Sequence, residues 1–333
     1  MQPTIVFDSY WRFAVERLAM YNRRLVDPAG PWTDDPILGS YRFTNSYRAA
    51  DRVSQYLMRE VQYRADRSPA PAEVFFRTLL FKIFNRIGTW ELLEREHGPL
   101  SWQSADLSAM SRTLDRAMDA GVRIYSAAYI MPAPPFGRRR KHENHLELLA
   151  AMMDRGVAAR VSAAESLAAV YSLLLSQPGI GPFLAFQYAI DLNYSTMLDF
   201  EEGGFVVAGP GALDGIAKCF RSTGGLDAAS VIHAVTDDQE RHFDRLGLDF
   251  PGLFGRRLQP IDCQNLFCEI SKYARVAHPE IAGCNTRTRI KQNYSSSGAR
   301  SEWISQPFFP PRWNLAVPEC APRPVTPSQL ALL

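Results

Sequence analysis

The sequence lacks the residue patterns that would settle most simple functional classes. Its five cysteines, Cys219, Cys263, Cys268, Cys284 and Cys320, form an odd, scattered set with no C-x-x-C pair. That spacing argues against zinc and iron–sulfur frameworks, and without an export signal it reads as free thiols. No G-x-x-x-x-G-K-[ST] occurs, so these residues hold no phosphate loop of that type. No apolar run approaches membrane-spanning length. Asp8, Arg12, Glu16 and Arg17 interrupt the N-terminal segment where a secretory signal would be apolar. A cytoplasmic address without membrane contact is therefore expected. Charge of one sign is also missing: 37 Lys and Arg face 35 Asp and Glu, a net charge of +2. Any nucleic-acid surface must come from local clustering. There is no internal repeat. His142 and His145 lie one helical turn apart but within Arg138-Arg-Arg-Lys141-His-Glu, a pattern that reads as a solvated basic segment. Neither metal nor cofactor is expected.

What remains is a chain of 333 residues, 46% hydrophobic and 22% charged, long enough for a substantial core. It is organised around Ser176-Gln-Pro-Gly-Ile-Gly-Pro-Phe-Leu-Ala-Phe-Gln-Tyr-Ala-Ile-Asp191. Ser162-Ala-Ala-Glu165 reads as a capping box opening a helix to Leu175. Pro178 to Gly181 break it, and Pro182 suits the first turn of the next helix. The pattern is helix-hairpin-helix, in which Gly179 and Gly181 let a phosphate approach a helix N-terminus. An ordinary helix–turn–helix corner fits the same residues.

Helical spacing marks further elements. One helix is expected from Phe7 to Arg24, and another opens at Thr44 or Asn45. On the latter, Arg48, Arg52, Gln55 and Arg59 recur at steps of four, three and four. That stripe reads either as a phosphate-binding face or as a solvated one paired with Asp51. Residues 73–96 read as one buried helix whose minority polar face holds Lys82, Asn85, Arg86 and Thr89. Helices are also expected over 104–120, 143–154, 226–246 and 262–276. In the last, Asn265, Glu269 and Lys272 line one side. Phe205 to Ala208 reads as a short strand leading into Gly209-Pro-Gly211, a turn able to bind an anion at a helix N-terminus. Its G-x-G-x-x-x-G spacing is not a dinucleotide fingerprint. Between Cys284 and Arg312 the cations Arg287, Arg289, Lys291, Arg300 and Arg312 face only Glu302. Seven prolines from Pro307 onward read as an extended or disordered arm. The expected division is 1–40, an N-terminal helix and loop; 41–283, a helical catalytic domain with the hairpin at 162–192; and 284–333, a basic, proline-rich arm.

Five of these segments in order carry a resemblance. They are Phe43-Thr-Asn-Ser-Tyr-Arg-Ala-Ala-Asp-Arg52, the run from Phe81 to Trp90, Pro178 to Asp191, Gly209-Pro-Gly-Ala, and Phe267-Cys-Glu-Ile-Ser-Lys-Tyr273. Over roughly residues 40–292 the chain resembles the α-glutamyl/putrescinyl thymine pyrophosphorylase group. That group is related to the helical domain of 5-hydroxymethyluracil DNA kinases and, distantly, to helix-hairpin-helix DNA glycosylases. The resemblance implies a mainly α, glycosylase-like helical domain and a transferase of thymine hypermodification in phage DNA. Its reaction would displace phosphate or diphosphate from phosphorylated 5-hydroxymethyluracil with an amine, either an amino acid or a polyamine. DNA with modified thymine, the amine and a separate P-loop DNA kinase would be its partners.

Such chemistry requires a flipped-out nucleotide and cations on the leaving group, here Arg48, Arg52 and Lys82. It also requires a base for the amine: Asp191 or Glu269, with Lys272 beside the latter. Gly179, Gly181, Gly209, Gly211, Arg287, Arg289 and Lys291 would hold DNA. Two alternatives stay open. A glycosylase of this class would carry an essential Asp in a Val-Asp context downstream of the hairpin. The matching stretch, Phe205-Val-Val-Ala-Gly-Pro, has no acid, leaving Asp199, Glu201 or Glu202 as shifted equivalents. An inert DNA-binding scaffold would need neither Asp191 nor Glu269.

Overall fold

In a computed structural model the chain is mainly α-helical, as expected, with one two-stranded ribbon among the described residues. Those residues are 1–27, 29–128, 131–294 and 306–318. They form two compact units. One comprises Met1–Arg52 with Pro210–Leu333, and the other Val53–Gly209. These limits fall elsewhere than positions 40 and 283.

In the first unit, α1 (Ile5–Val26) starts where the Thr4 hydroxyl accepts the Val6 N–H at 3.1 Å. Its buried residues Phe7, Tyr10, Trp11, Ala14 and Leu18 recur at helical spacing and form one stripe. Just before it, β1 (Gln2–Pro3) pairs antiparallel with β2 (Phe220–Ser222). The short α2 (Pro36–Ser40) is capped by Asp35, which accepts from the backbone N–H groups of Ile37 and Leu38. The second unit is built on α4 (Pro71–Phe84), in which every residue from Glu73 to Phe84 is buried. A helix apolar on all sides must be covered on all sides. In the second unit α5 (Ile87–His97), α6 (Leu107–Asp119), α7 (Lys141–Asp154), α8 (Val157–Ser162), α9 (Leu167–Leu175) and α10 (Pro182–Asn193) complete the bundle. The first unit adds α11 (Pro210–Cys219), α12 (Ala228–Asp237), α13 (Gln239–Arg245) and α14 (Pro260–Ala277).

Several expected elements differ, each for a local reason. The helix expected from residue 44 is instead a 3-10 turn at Arg48–Ala50, a short α3 (Arg52–Tyr56) and a π-helical turn at Leu57–Gln62. The 73–96 helix is broken at Asn85, which takes a left-handed conformation at φ 47°. Asparagine tolerates that region better than most residues. Ser166, not Ser162, caps the helix before the hairpin, accepting from the Ala169 N–H. Phe205 to Ala208 form no strand. The 226–246 helix is interrupted at Asp238. His142 and His145 are buried rather than solvated. His145 Nδ1 lies 2.7 Å from the Tyr125 hydroxyl and its Nε2 3.0 Å from the Pro132 carbonyl oxygen. Burial pushes the His145 imidazole down to about 4, so it is neutral at ordinary pH. Among the described residues no group of His, Cys, Asp and Glu suits a metal, and no helix is long and apolar enough to cross a membrane.

Glycines set the approach of α11 to α14. A Cβ on Gly215 would overlap the Phe267 carbonyl, and one on Gly211 would overlap the Cys268 side chain. The helices therefore touch backbone to backbone, and α14 is further held by Asp214. Its carboxylate accepts from the Ser271 hydroxyl and, at 3.0 Å, from the Asn285 N–H. Lys218 Nζ, 3.6 Å from Asp214, donates to the Ser271 carbonyl at 2.9 Å. Gly215→Ala should destabilise the protein by about 1–3 kcal/mol through overpacking. Gly181 has nothing near its absent Cβ and an ordinary φ of −85°. Gly181→Ala should therefore stay within about 1 kcal/mol of the parent. Urea unfolding of the two variants checks the contrast.

Candidate functional site

The segment Phe43–Arg52 is polar, largely non-helical and held by side chains. Asn45 closes a local loop: its N–H donates to Asp51 Oδ1 at 2.8 Å, and its Nδ2 donates to the Ala50 carbonyl at 2.8 Å. Asp262 Oδ1 takes the Arg48 N–H at 3.0 Å. Asp262 takes the Arg48 N–H and Arg17 takes the Thr44 carbonyl, the two groups that the first bond of a helix capped at Thr44 would have joined. The expected stripe is dissolved accordingly. Arg48 and Gln55 are buried, Arg52 is exposed and Arg59 is half-buried.

From α14, one turn apart, Asn265, Glu269 and Lys272 reach this strap, as their spacing had grouped them. Asn265 Nδ2 donates to Thr44 Oγ1 at 2.9 Å. Glu269 Oε2 accepts the Thr44 N–H at 3.0 Å and pairs with Lys272 Nζ at 2.8 Å. The Lys272 ammonium also lies 4.5 Å from the centre of the Phe43 ring, a cation–π distance. From α1, Arg17 grips the other side. Its Nε donates to the Thr44 carbonyl at 2.9 Å, and its Nη2 to Phe43 O at 3.3 Å and Asn45 Oδ1 at 3.1 Å. Consecutive backbone N–H groups thus serve two carboxylates, while an arginine takes the carbonyls beside them.

The electrostatics follow from crowding. Burial pushes the Asp51 carboxyl up from 3.8 to about 7, and the Glu269 charge adds to the rise. The Asn45 N–H bond, Arg17 and Arg48 oppose it. Asp51 as a whole residue is half-buried. Asp262 is raised to about 6, again chiefly by burial and against the N–H groups of Gln259 and Arg48. The Arg17 guanidinium is lowered by burial against the attraction of Asp51 and Glu269. Sequence reading missed Arg17 and Asp262 as members of this cluster and gave Asp51 only an ion-pairing role. The available signal was the density of polar residues in Phe43–Arg52 at no single helical spacing. Beside the cluster, a cleft of about 340 Å³ is lined by Ser9, Arg12, Glu16, Asp35 and Tyr273, among others.

The second unit assembles a different set. Lys82 Nζ lies 3.2 Å from Asp191 Oδ2 and donates to Asn85 Oδ1 at 2.8 Å. Both ends of the pair are buried, Asp191 completely. Gln62 Nε2 donates to the Asp191 carbonyl at 2.8 Å and lies 3.1 Å from Thr78 Oγ1. Removing one partner of a buried pair leaves an uncompensated charge, a loss of about 3–5 kcal/mol. In the hairpin, Gly179 adopts φ 80°, and a Cβ there would press on Pro134. Of the two hairpin glycines only Gly179 takes a left-handed conformation; Gly181 is exposed and extended.

Gly209 precedes α11, while Gly211 faces Cys268 inside the helix contact. Arg287, Arg289 and Lys291 are exposed on a segment tied to residues 40–42, where the Arg42 N–H donates to Gln292 O at 2.9 Å and the Tyr294 N–H to Ser40 O at 2.8 Å. Of the proline-rich arm, Phe309 packs on Phe254 and Trp313, and Arg256 lies 4.0 Å from the Trp313 ring centre. Arg300, Glu302, Cys320 and the remainder of the arm from 319 lie outside the described residues.

The Asp51 shift fixes a sign. Between pH 3.8 and about 7 the folded state holds a proton that the unfolded state releases. The group's contribution to stability is complete below 3.8 and is lost as pH rises through about 7. Asp51→Asn should remove that dependence. Urea midpoints at pH 5 and pH 8 should then differ less in the variant than in the parent.

Comparison with known proteins gives the chain its kinship. The family described as the helical domain of 5-hmdU DNA kinase matches residues 4–283. The 5-hmdU DNA kinase of Bacillus phage SP10 is 25% identical over 289 residues, covering 80% of this chain and 45% of the relative. The chain thus spans about half the length of the curated relative it matches. No solved structure matches. This is the related family named beside the pyrophosphorylase group in the sequence resemblance. The chain belongs to the family of 5-hmdU DNA kinase helical domains.

Proposed function

We propose that the chain is a DNA-modifying transferase of thymine hypermodification. It acts on phosphorylated 5-hydroxymethyluracil in DNA, and an amine displaces phosphate or diphosphate from the exocyclic carbon. The observation that carries this reading is the polar cluster on Phe43–Arg52, where Glu269, Lys272, Arg48 and Asp51 converge. Amine substitution needs a carboxylate able to accept a proton near neutral pH and cations to meet the departing phosphate. The cluster holds both. Kinship to a DNA kinase domain supports 5-hydroxymethyluracil in DNA as the substrate. The absence of a P-loop motif from these residues supports a partner kinase that phosphorylates it first.

In this reading Arg48 and the exposed Arg52 stabilise the leaving group. Glu269 with Lys272 belongs to the reacting centre. The fully buried Asp191 and Lys82 fit a positioning role for α4 and α10 better than direct proton transfer. Gly179 and Gly181 present the helix-hairpin-helix turn to a DNA phosphate. Gly209, Arg287, Arg289 and Lys291 add further phosphate contacts, and the target nucleotide is flipped from the duplex. The glycosylase-like fold, the phage setting and action in a host cytoplasm belong to the same proposal.

Purified protein given duplex DNA with phosphorylated 5-hydroxymethyluracil and a mixture of amino acids and polyamines should release phosphate or diphosphate. Mass spectrometry of the digested DNA should show a new C–N bond on an intact nucleoside. Glu269→Gln should lower turnover by several-fold with DNA affinity nearly unchanged. Abasic sites would identify a glycosylase, and unchanged DNA that still binds would identify a scaffold.

Replacing Arg287, Arg289 and Lys291 together by alanine should flatten the dependence of log affinity on log salt by up to about 3, close to one per lost phosphate contact. Fluorescence anisotropy across a salt series measures that slope. An unchanged slope would assign the three cations to ordinary solvation.

A further inference from the structure

The reaction proposed above needs a proton acceptor, and the geometry points to one that the sequence motifs did not single out. We infer that Asp51 takes the proton from the incoming ammonium group, with Glu269 fixed beside it on the neighbouring amide and Arg17 as the clamp holding both in register. The inference rests on the transferase reading and deepens it by assigning the base.

The argument is geometric first. Asp51 and Glu269 accept the N–H groups of adjacent residues, Asn45 at 2.8 Å and Thr44 at 3.0 Å. Two carboxylates from separate elements are thereby fixed on one stretch of backbone. Arg17 reaches the carbonyls of Phe43 and Thr44 and the amide oxygen of Asn45, so the strap cannot turn its N–H groups elsewhere without losing those bonds. Glu269 is drawn toward Lys272 at 2.8 Å. The groups that act on Asp51 are Glu269 from α14, Arg17 from α1 and Arg48 from the 3-10 turn. Lys272 and Asp262 reach it through their partners Glu269 and Arg48.

Two carboxyls on adjacent amides resist double ionisation, so one of them retains its proton to higher pH. Glu269 is paired with the Lys272 ammonium, and Asp51, raised chiefly by burial to about 7, is the one that exchanges a proton near neutrality. In the reaction, Asp51 carboxylate removes one proton from R–NH3⁺, and the freed lone pair forms the C–N bond to the exocyclic carbon. The C–O bond to the phosphate breaks, and the phosphate leaves with that electron pair. The second ammonium proton then passes to solvent, and Asp51 returns its own proton to water. No oxidant, reductant or metal enters the balance.

The test joins a titration that needs no substrate to a rate profile that does. The protein is labelled with ¹³C at aspartate side-chain carboxyls, and Asp51 is assigned by the signal lost in Asp51→Asn. Its midpoint should lie near 7, and the acid limb of the amine-transfer rate should share that midpoint. Glu269→Gln keeps an oxygen for the Thr44 N–H but removes the charge, so it should move both midpoints down together by about one pH unit. Asp51→Asn, which can still accept the Asn45 N–H, should cut transfer at pH 8 by about 10²-fold or more. A midpoint in the ordinary aspartate range would overturn the inference. So would an acid limb that stays put while the Asp51 midpoint moves. Absence of amine transfer by the parent, with DNA bound, would instead sink the transferase reading on which the base assignment rests.

Discussion

The close approach of α11 to α14 is the constraint on which the candidate site depends. Gly211 and Gly215 remove the side chains that would hold the two helices apart, and Cys268 and Phe267 occupy the space. Close packing of this kind leaves few alternative positions for a helix. Asp214, Ser271 and Lys218 then fix α14 along its length. Asn265, Glu269 and Lys272 project from the same helix, so their distances from Thr44 and Asn45 are inherited from a contact made by other residues. A glycine pair expected at an anion-binding turn thus includes one member, Gly211, that serves packing.

Desolvation explains the character of the cluster. Arg17, Asp51 and Asp262 each depart from their ordinary ionisation in the direction that burial dictates, and their hydrogen-bond and opposite-charge partners only moderate the shift. A folded protein tolerates such groups when hydrogen bonds satisfy them. Here the bonds run to backbone N–H and carbonyl groups of a short non-helical strap. The strap gives up regular secondary structure, and in return two carboxylates and an arginine are held without the freedom of long side chains in water. That is the arrangement expected where a proton must be exchanged near pH 7.

The buried Lys82–Asp191 pair obeys a different logic. Its charges are enclosed within the second unit, with Asn85 accepting a hydrogen bond from the lysine. The left-handed Asn85 both ends α4 and supplies that oxygen. A single residue choice therefore couples helix termination to satisfaction of a buried charge, and the polar minority face of a buried helix becomes an internal network.

The sequence by itself determined the helical class, the extents of α1 and α14, the cluster of cations that begins at Arg287 and the grouping of Asn265, Glu269 and Lys272. Each follows from periodicity or local composition, which are properties of neighbouring residues. Only the tertiary structure decided that residues 44–52 are not a continuous helix, that Asn85 divides the 73–96 run, and that His142 and His145 are buried. It alone joined Arg17, Asp51, Asp262 and Glu269, which are separated by up to 252 positions along the chain. The physical reason is that backbone donors go to the best available acceptor. For the Arg48 N–H the competing acceptor is the Asp262 carboxylate, brought there by folding. Periodicity counts only the local competitors, so it read a helix where a long-range carboxylate and one half-buried arginine had already taken its first hydrogen bond.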